Sequence, residues 1–417
     1  MTPHTTRLTD RIASHFQPDP PDPIGVAVSG GSDSLALLTL LKDWRDAGGP
    51  QVCAVTVDHR LRPEAADEAA QVARQCQSWD IPHDTLHWTG WDGQGNLADQ
   101  ARRARYRLMA QWAVQRGVQV IALGHTADDQ AETFLMRLTR EAGLDGLSAM
   151  AERWQQDGVS FARPVLGVTR EELRDVLRAR GLVWADDPSN ADPAYARVRA
   201  RQVLATLAPL DIDGATLAHV ARNLGEARAA LNAVVARAAQ EVAQIEHGDV
   251  LLRRAALIAH PPEIARRLVQ AALMWISGAD YPPRGAAMTR LMHDIADGQS
   301  PTLHGCRLIT RTDSLRITRE EAAVAGIRVP AGDVWDGRWH LTGPDMEGIT
   351  IAALGEAALG LCPDRQETGL PAASLCASPA AWRGETLVAA PLAGLENGWS
   401  ARMVRSENHD FAALLSH

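Results

Sequence analysis

Short apolar runs alternate with helical periodicity through the first half of the chain. Residues 24–28 (IGVAV), 52–57 (VCAVTV) and 118–123 (VQVIAL) are apolar runs of strand length, and 83–88 reads as a further strand. Between them apolar positions recur at helical spacing. In SLALLTLLKDW, Leu35, Leu38 and Leu41 are candidate core positions, and 63–79 is a polar-faced helix that opens on Pro63 with acids in its first turn. Residues 97–116 form a long helix carrying Arg102, Arg103, Arg105 and Arg107, and another helix starts near Ala127. This alternation predicts an α/β fold with a doubly wound parallel sheet covered on both faces.

Beyond Gly158 the pattern loosens. A helix over 169–180 has Thr169 as its N-cap, with Glu171 and Glu172 in the first turn. The loop DDPSNADPAY follows, then an arginine-rich helix from about Ala196. The stretch APLDIDG at 208–214 reads as a boundary. Residues 215–275 are alanine-rich and helical, and 300–320 alternate as strands do. From about 331 short apolar runs lie among Gly, Pro and acidic residues. The expected organisation is a doubly wound domain at 1–209, a helical middle domain at 212–325 and a small β-rich or α+β domain at 331–417.

Charge and cysteine content narrow the function classes. The 417 residues carry a net charge of −9, and 331–417 holds 5 basic against 11 acidic residues. Global charge therefore does not suggest a nucleic-acid binder, although local clusters of arginine, with Lys42 the only lysine, can still bind phosphates. Five scattered cysteines without a CxxC pair point to a reducing cytoplasm and away from a zinc ribbon, an iron–sulfur cluster or a disulfide scaffold. No apolar run is long enough to predict a transmembrane helix, and the first residues lack the pattern of a secretory signal.

The candidate chemistry sits where strands end. Ser29, Gly30, Gly31, Ser32, Asp33 and Ser34 lie between an apolar strand and a helix. Paired glycines let the backbone approach an anion, and the helix start offers free N–H groups and a positive dipole end. The loop lacks the GK[ST] ending of the loop that transfers a terminal phosphate. The plain alternative is a Gly/Ser turn entering a helix. Asp33 would face Mg²⁺ or a substrate ammonium, or else serve only the helix dipole. Gly124-His125-Thr126-Ala127-Asp128-Asp129-Gln130-Ala131-Glu132-Thr133 follows another strand at the same sheet edge. Asp128, Asp129 and Glu132 fall within a turn and a half, suited to a cationic substrate or Mg²⁺, or to a solvated acidic helix start. His59 follows the second strand and would contact nucleotide or substrate, or be an ordinary loop histidine. Arg103 and Arg107 share a helix face that would bind phosphate or stay solvated.

Together these segments resemble the tRNA(Ile)-lysidine synthetase family of the PP-loop ATP pyrophosphatase superfamily, whose fold is of the adenine nucleotide α-hydrolase type. The resemblance is carried, in family order over about 1–205, by SGGSDS at 29–34, VDHRLRP at 57–63, ARRARY at 101–106, GHTADDQAET at 124–133, GLDGLSAM at 143–150, RPVL at 163–166 and WADDPSNADPAYAR at 184–197. The chain departs from the family pattern at Glu141, Ala142, Ala149 and Val198, positions on loops or on the RNA side.

The resemblance implies a ligase. ATP adenylates O2 of the wobble cytidine in the CAU anticodon of the minor isoleucine tRNA. Free L-lysine then attacks C2 through its side-chain amine, releasing AMP after pyrophosphate and changing decoding from AUG to AUA. It further implies Asp33 as the base or amine-positioning group, the 29–34 loop and His59 as the ATP site, and Mg²⁺ beside the phosphates. Asp128, Asp129 and Glu132 would recognise lysine, and Arg102, Arg105 and Arg197 would contact phosphate or RNA. The expected protein is a cytoplasmic monomer or homodimer without a membrane partner. The alternatives are another adenylating PP-loop enzyme, such as a tRNA thiolase or an amide-forming pyrophosphatase, and a non-catalytic RNA-binding relative.

Overall fold

The computed structural model describes residues 3–60, 64–91, 96–185 and 192–404. Leu61 to Pro63 of the VDHRLRP segment and 186–191 of the DDPSNADPAY loop lie outside the described residues. The chain divides into two compact units, Met1–Arg228 and Ala229–His417.

The first unit holds, in chain order, α1 (Pro3–Phe16), β1 (Ile24–Ala27), α2 (Ser32–Asp46), β2 (Val52–Asp58), α3 (Glu64–Ser78), β3 (His83–His87), α4 (Leu97–Arg116), β4 (Val120–Leu123), α5 (Ala127–Leu138), α6 (Leu144–Leu147), β5 (Arg153–Gln156), β6 (Val159–Ala162), α7 (Arg170–Arg178) and α8 (Ala196–Thr206); β1 to β4, α2 to α5, α7 and α8 follow the expected alternation, whereas α1, α6, β5 and β6 lie outside it. The sheet order is β3-β2-β1-β4-β6-β5. All neighbours run parallel except the last pair, where Gln156 faces Val159 across an antiparallel turn. Successive strand residues serve opposite layers, as a pleated strand requires. Val52, Ala54, Val120 and Ala122 pack with α1, α2, α3 and α7, while Cys53, Val55, Ile121 and Leu123 pack under Tyr106, Met109 and Trp112 of α4. Burial on both sides explains why these strands read as continuous apolar runs.

β1 is the switch point of the sheet, with β2 on one side and β4 on the other. In such sheets the crevice opens beyond the carboxyl ends of the strands that flank the reversal. The loop after β1 and the turn after β4 occupy that place.

α9 (Gly214–Val242) carries the chain into the second unit. There the predicted helix over 215–275 is interrupted by the hairpin β7 (Ala243–Glu246) and β8 (Asp249–Arg253), before α10 (Arg254–Ala259) and α11 (Pro262–Ser277). His247 and Gly248 turn the hairpin with φ of 49° and 84°, a conformation no helix interior accommodates. Then follow α12 (Gly285–Ala296), β9 (Thr302–Leu303), β10 (Cys306–Thr310) and β11 (Ser314–Arg319). These strands join the hairpin in a sheet of order β7-β8-β11-β10-β9, so the middle segment is not purely helical. The remaining residues build the two smaller antiparallel sheets expected of a β-rich end, of four and three strands. One hydrophobic cluster joins Val250, Leu268 and Ile317 to Trp335, Leu341 and Ile351. It runs across the 325–331 stretch at which the composition shifts.

Candidate active site

Gly31 caps α2 in an extended conformation, with no side chain satisfying the first N–H groups. Those donors are left for an anion. Gly30 has φ of 88°, in the left-handed region that a side chain strains. The loop is tied internally: the Ser29 backbone N–H donates to Ser34 Oγ at 3.1 Å, and Ser34 Oγ donates to the Gly31 carbonyl at 3.2 Å. Ser32 Oγ donates to Asp33 Oδ1 at 2.9 Å, which turns this carboxylate beside the loop.

The turn after β4 comes close to this loop. A Cβ on Gly124 would lie 2.9 Å from the backbone of Asp33 and Ser34, so only glycine permits the approach. Thr126 and Asp129 then form a capping box at the start of α5, with Asp129 Oδ2 accepting from Thr126 N–H at 2.9 Å. Burial pushes the Asp129 carboxyl up, but the Thr126 hydrogen bond and the charges of Arg170 and Arg197 outweigh it, and the net shift is downward. His125 accepts a hydrogen bond from Arg163 Nε at 3.0 Å. Burial first, then the positive charge of Arg163, holds its pKa down to about 3, so the ring is neutral.

Arg170, the first residue of α7, joins the two acidic groups. Its Nε donates to Asp33 Oδ2 at 2.9 Å, Nη1 to Glu132 Oε1 at 3.4 Å, and Nη2 lies 3.6 Å from Asp129 Oδ1. Its backbone N–H donates to Asp128 Oδ2 at 2.7 Å. Burial alone would lower the guanidinium pKa; Asp33 and Asp129 overcome that and raise it. Arg201 Nη2 adds a second cation to Glu132 Oε1 at 2.9 Å. The acidic turn is therefore an ion-paired cluster rather than a solvated helix start.

A cavity of about 440 Å³ opens over these groups. Ser29, Gly31, Ser32, Asp33 and Ser34 line it, together with His59, Arg105, Asp129 and Arg197. Val55, Val57, Met109 and Leu123 supply an apolar side, and Arg170, Arg174 and Arg201 add positive charge. Gly30, Asp128, Glu132 and Arg102 do not line it; Asp128 and Glu132 are reached through Arg170. His59 stands edge-on to Trp88, and its buried Nδ1 has no partner. Burial, then Arg105, lowers its pKa. Arg102 and Arg105 flank the Tyr106 ring at 5.4 and 5.3 Å. Arg103 instead pairs with Asp99 on its own helix, at 2.8 Å, and the shared Arg103–Arg107 face gains no support as a phosphate site.

Sequence reasoning missed Arg170, Arg201 and the Arg163–His125 pair. The only signal for Arg170 was electrostatic: acids this close and this buried need a counter-cation. It also missed Arg137 and Arg228, which donate to the adjacent carbonyls of Gly146 and Asp145 at 2.8 and 3.4 Å.

Comparison with known proteins places the chain among relatives of one family. A family model described as the PP-loop domain matches residues 4–208. A tRNA(Ile)-lysidine synthase of Ruegeria pomeroyi is 51% identical over 98% of this chain and 98% of its own length. One from Hyphomonas neptunium is 40% identical over 69% of this chain and 79% of its own, and one from Brucella anthropi 37% over 92% and 88%. Among solved structures, the U34-tRNA thiolase NcsA of Methanococcus maripaludis aligns over 54% of this chain and 80% of that chain at 15% identity, with a TM-score of 0.46. That likeness is too slight to add to the fold already described.

Proposed function

The chain belongs to the tRNA(Ile)-lysidine synthase family, and from that premise we propose how its own residues carry the reaction. It is an ATP-using ligase that forms a carbon–nitrogen bond on tRNA. The observation that carries the residue assignments is the meeting of the phosphate loop and the carboxylate cluster at one cavity, with Arg170 touching both.

The loop at 29–34 grips the β- and γ-phosphates with serine hydroxyls and the N–H groups at the start of α2. Adenine lies against Val55, Val57, Met109 and Leu123, beside a neutral His59. The target cytidine of the CAU anticodon must leave its stack to reach the cavity. Its O2 attacks the α-phosphorus, the bond to the β-phosphate oxygen breaks, and pyrophosphate leaves. Adenylation turns a poor leaving group into a good one. The side-chain amine of lysine cannot attack as an ammonium with pKa near 10.4, so it first loses a proton. Asp33 takes or positions that proton. The free lone pair then bonds to C2, and AMP departs with the oxygen.

Lysine is recognised by Asp128, Asp129 and Glu132. The described residues contain no group of three His, Cys, Asp or Glu side chains able to hold a metal by themselves. Mg²⁺ arriving with a triphosphate needs only one or two protein carboxylates, and Asp33 beside the loop fits that need. Held there, the ion would supply positive charge to offset that of the pyrophosphate leaving group. Arg102, Arg105 and Arg197 meet RNA phosphates near the cavity, and Arg137 and Arg228 extend that contact along the same unit.

The alternatives find less support. All five cysteines are buried, and burial pushes the thiols of Cys53 up to about 11 and of Cys76 and Cys306 to about 12, unlike a sulfur-transfer nucleophile. Free thiols of this kind fit a reducing cytoplasm. No helix among the described residues is long and apolar enough to cross a membrane.

The test is Asp33→Asn, assayed for labelled lysine joined to CAU-anticodon tRNA(Ile). Incorporation should fall at least ~100-fold while the circular dichroism spectrum is kept. Wild-type turnover would remove Asp33 from the chemistry.

A further inference from the structure

The carboxylates assigned to catalysis and to lysine share one internal partner. Asp33 and Glu132 accept hydrogen bonds from the Arg170 guanidinium, Asp129 lies within ion-pair distance of it, and Asp128 accepts from its backbone N–H. That last bond anchors Arg170 at its main chain, so the side chain can move without loosening the start of α7. The side chains of Arg170 and Asp33 are only 17% and 19% exposed, and that of Glu132 only 2%.

A guanidinium in this position does what a substrate ammonium would do. It brings one positive charge to Asp33, Asp129 and Glu132 at hydrogen-bond or ion-pair distance. Arg201 pairs with Glu132, but at Asp33 and Asp129 the guanidinium and a substrate ammonium would compete for the same oxygens, and their repulsion in a partly buried site is stronger than in water. Glu132 carries a second sign of a ligand. Both Arg170 and Arg201 use Oε1, while the buried Oε2 has no partner. A buried carboxylate oxygen without a donor is costly and is a ready acceptor for an incoming N–H. If Arg170 left, Arg201 would still pair with Glu132 at 2.9 Å. Arg170 also lines the cavity beside Gly31 and Ser32, where a released guanidinium would meet phosphate oxygens.

We propose that Arg170 is a specificity-determining residue whose guanidinium occupies the seat of the substrate's side-chain ammonium and yields it only to a fully charged amine, turning then to the triphosphate. The seat thereby rejects neutral and weakly basic amines, which cannot replace the charge they displace. This inference rests on lysine being the amine substrate.

The experiment compares wild type, Arg170→Gln and Arg170→Lys for KM of L-lysine and of ATP in lysidine formation. In Arg170→Gln the lysine KM should fall about tenfold, because the competing cation is gone, and the ATP KM should rise about tenfold. Arg170→Lys should hold the lysine KM within about twofold of wild type, since an ammonium again guards the seat. A lysine KM that rises or stays unchanged in Arg170→Gln overturns the proposal, as a purely structural arginine would give. Should Arg170→Gln fail to fold, a crystal structure of the wild-type protein with L-lysine decides. Arg170 displaced from Asp33 and Glu132 supports the proposal; Arg170 in place with lysine bound elsewhere defeats it. A wild type that joins no lysine to tRNA removes the substrate reading itself, and this inference with it.

Discussion

His125 shows how one residue at the site feeds into stability. It is neutral because burial and Arg163 hold its pKa down to about 3, against the ordinary value of 6.5. The unfolded chain therefore takes up a proton near pH 6.5 that the folded chain refuses until about pH 3. The stability that depends on a neutral His125 is complete above pH 6.5 and is lost as pH falls from there. At pH 5 the loss from this residue alone is about 2 kcal/mol. His15, His59 and His83 are shifted the same way, each chiefly by burial. Urea midpoints measured at pH 7 and pH 5 should drop in wild type and drop less in His125→Gln; equal drops would mean His125 is protonated in the folded state. At this scale the sequence exposes what is local. Ser29 to Ser34 and the acids of α5 announce themselves because neighbours in sequence form each group. Arg170 does not, because it lies 137 positions from Asp33 and 38 from Glu132, and TREEL alone shows only a helix start.

Among the elements, the contact between the end of β4 and the start of α2 is the most constrained. Gly124 leaves no room for a Cβ, since the atoms it would strike belong to the backbone of Asp33 and Ser34. Gly124→Ala should push the phosphate loop away from β4. It should cost about 1–3 kcal/mol and raise the ATP KM about tenfold. A variant with unchanged ATP kinetics would show that the loop tolerates displacement. The strands β1, β2 and β4 and the helices α2 to α5 are legible because each is buried on a defined face, whereas α1 went unread. The hairpin β5–β6 is not: its strands have four residues each, too few to establish alternation. Its Asp157-Gly158 turn, with φ of 50° and 79°, was the readable signal. Likewise β7 and β8 hide in an alanine-rich stretch and become strands because β8 pairs with β11, a partner more than sixty residues on.

For the molecule as a whole, net charge misleads. A chain of charge −9 belongs to a family of tRNA-modifying enzymes, and its arginines are not spread evenly. Arg105 and Arg197 line the cavity, Arg102 lies next to Arg105 across the Tyr106 ring, and Arg137 and Arg228 meet at α6. Burial, then the neighbouring charges of Arg102 and Arg228, lowers the Arg137 pKa. Arg228→Gln should raise the tRNA KM about three- to tenfold and flatten its salt dependence by roughly one phosphate contact, with the lysine KM unchanged. An unaltered salt slope would take Arg228 out of the RNA contact. Deleting 331–417 is a poorer probe of RNA binding, because it would cut through the cluster that joins Leu268 to Trp335 and Leu341. A change in composition marks that stretch, but composition does not show which side chains share a core. The proposed chemistry turns on α–β cleavage of ATP and transfer of AMP to a pyrimidine. The most direct measurement is mass spectrometry of the nucleosides and nucleotides from purified protein with ATP, L-lysine and CAU-anticodon tRNA(Ile). Lysidine at the first anticodon position, with one AMP and one pyrophosphate per lysine joined, is the predicted result; unmodified cytidine or ADP as the nucleotide product would contradict it.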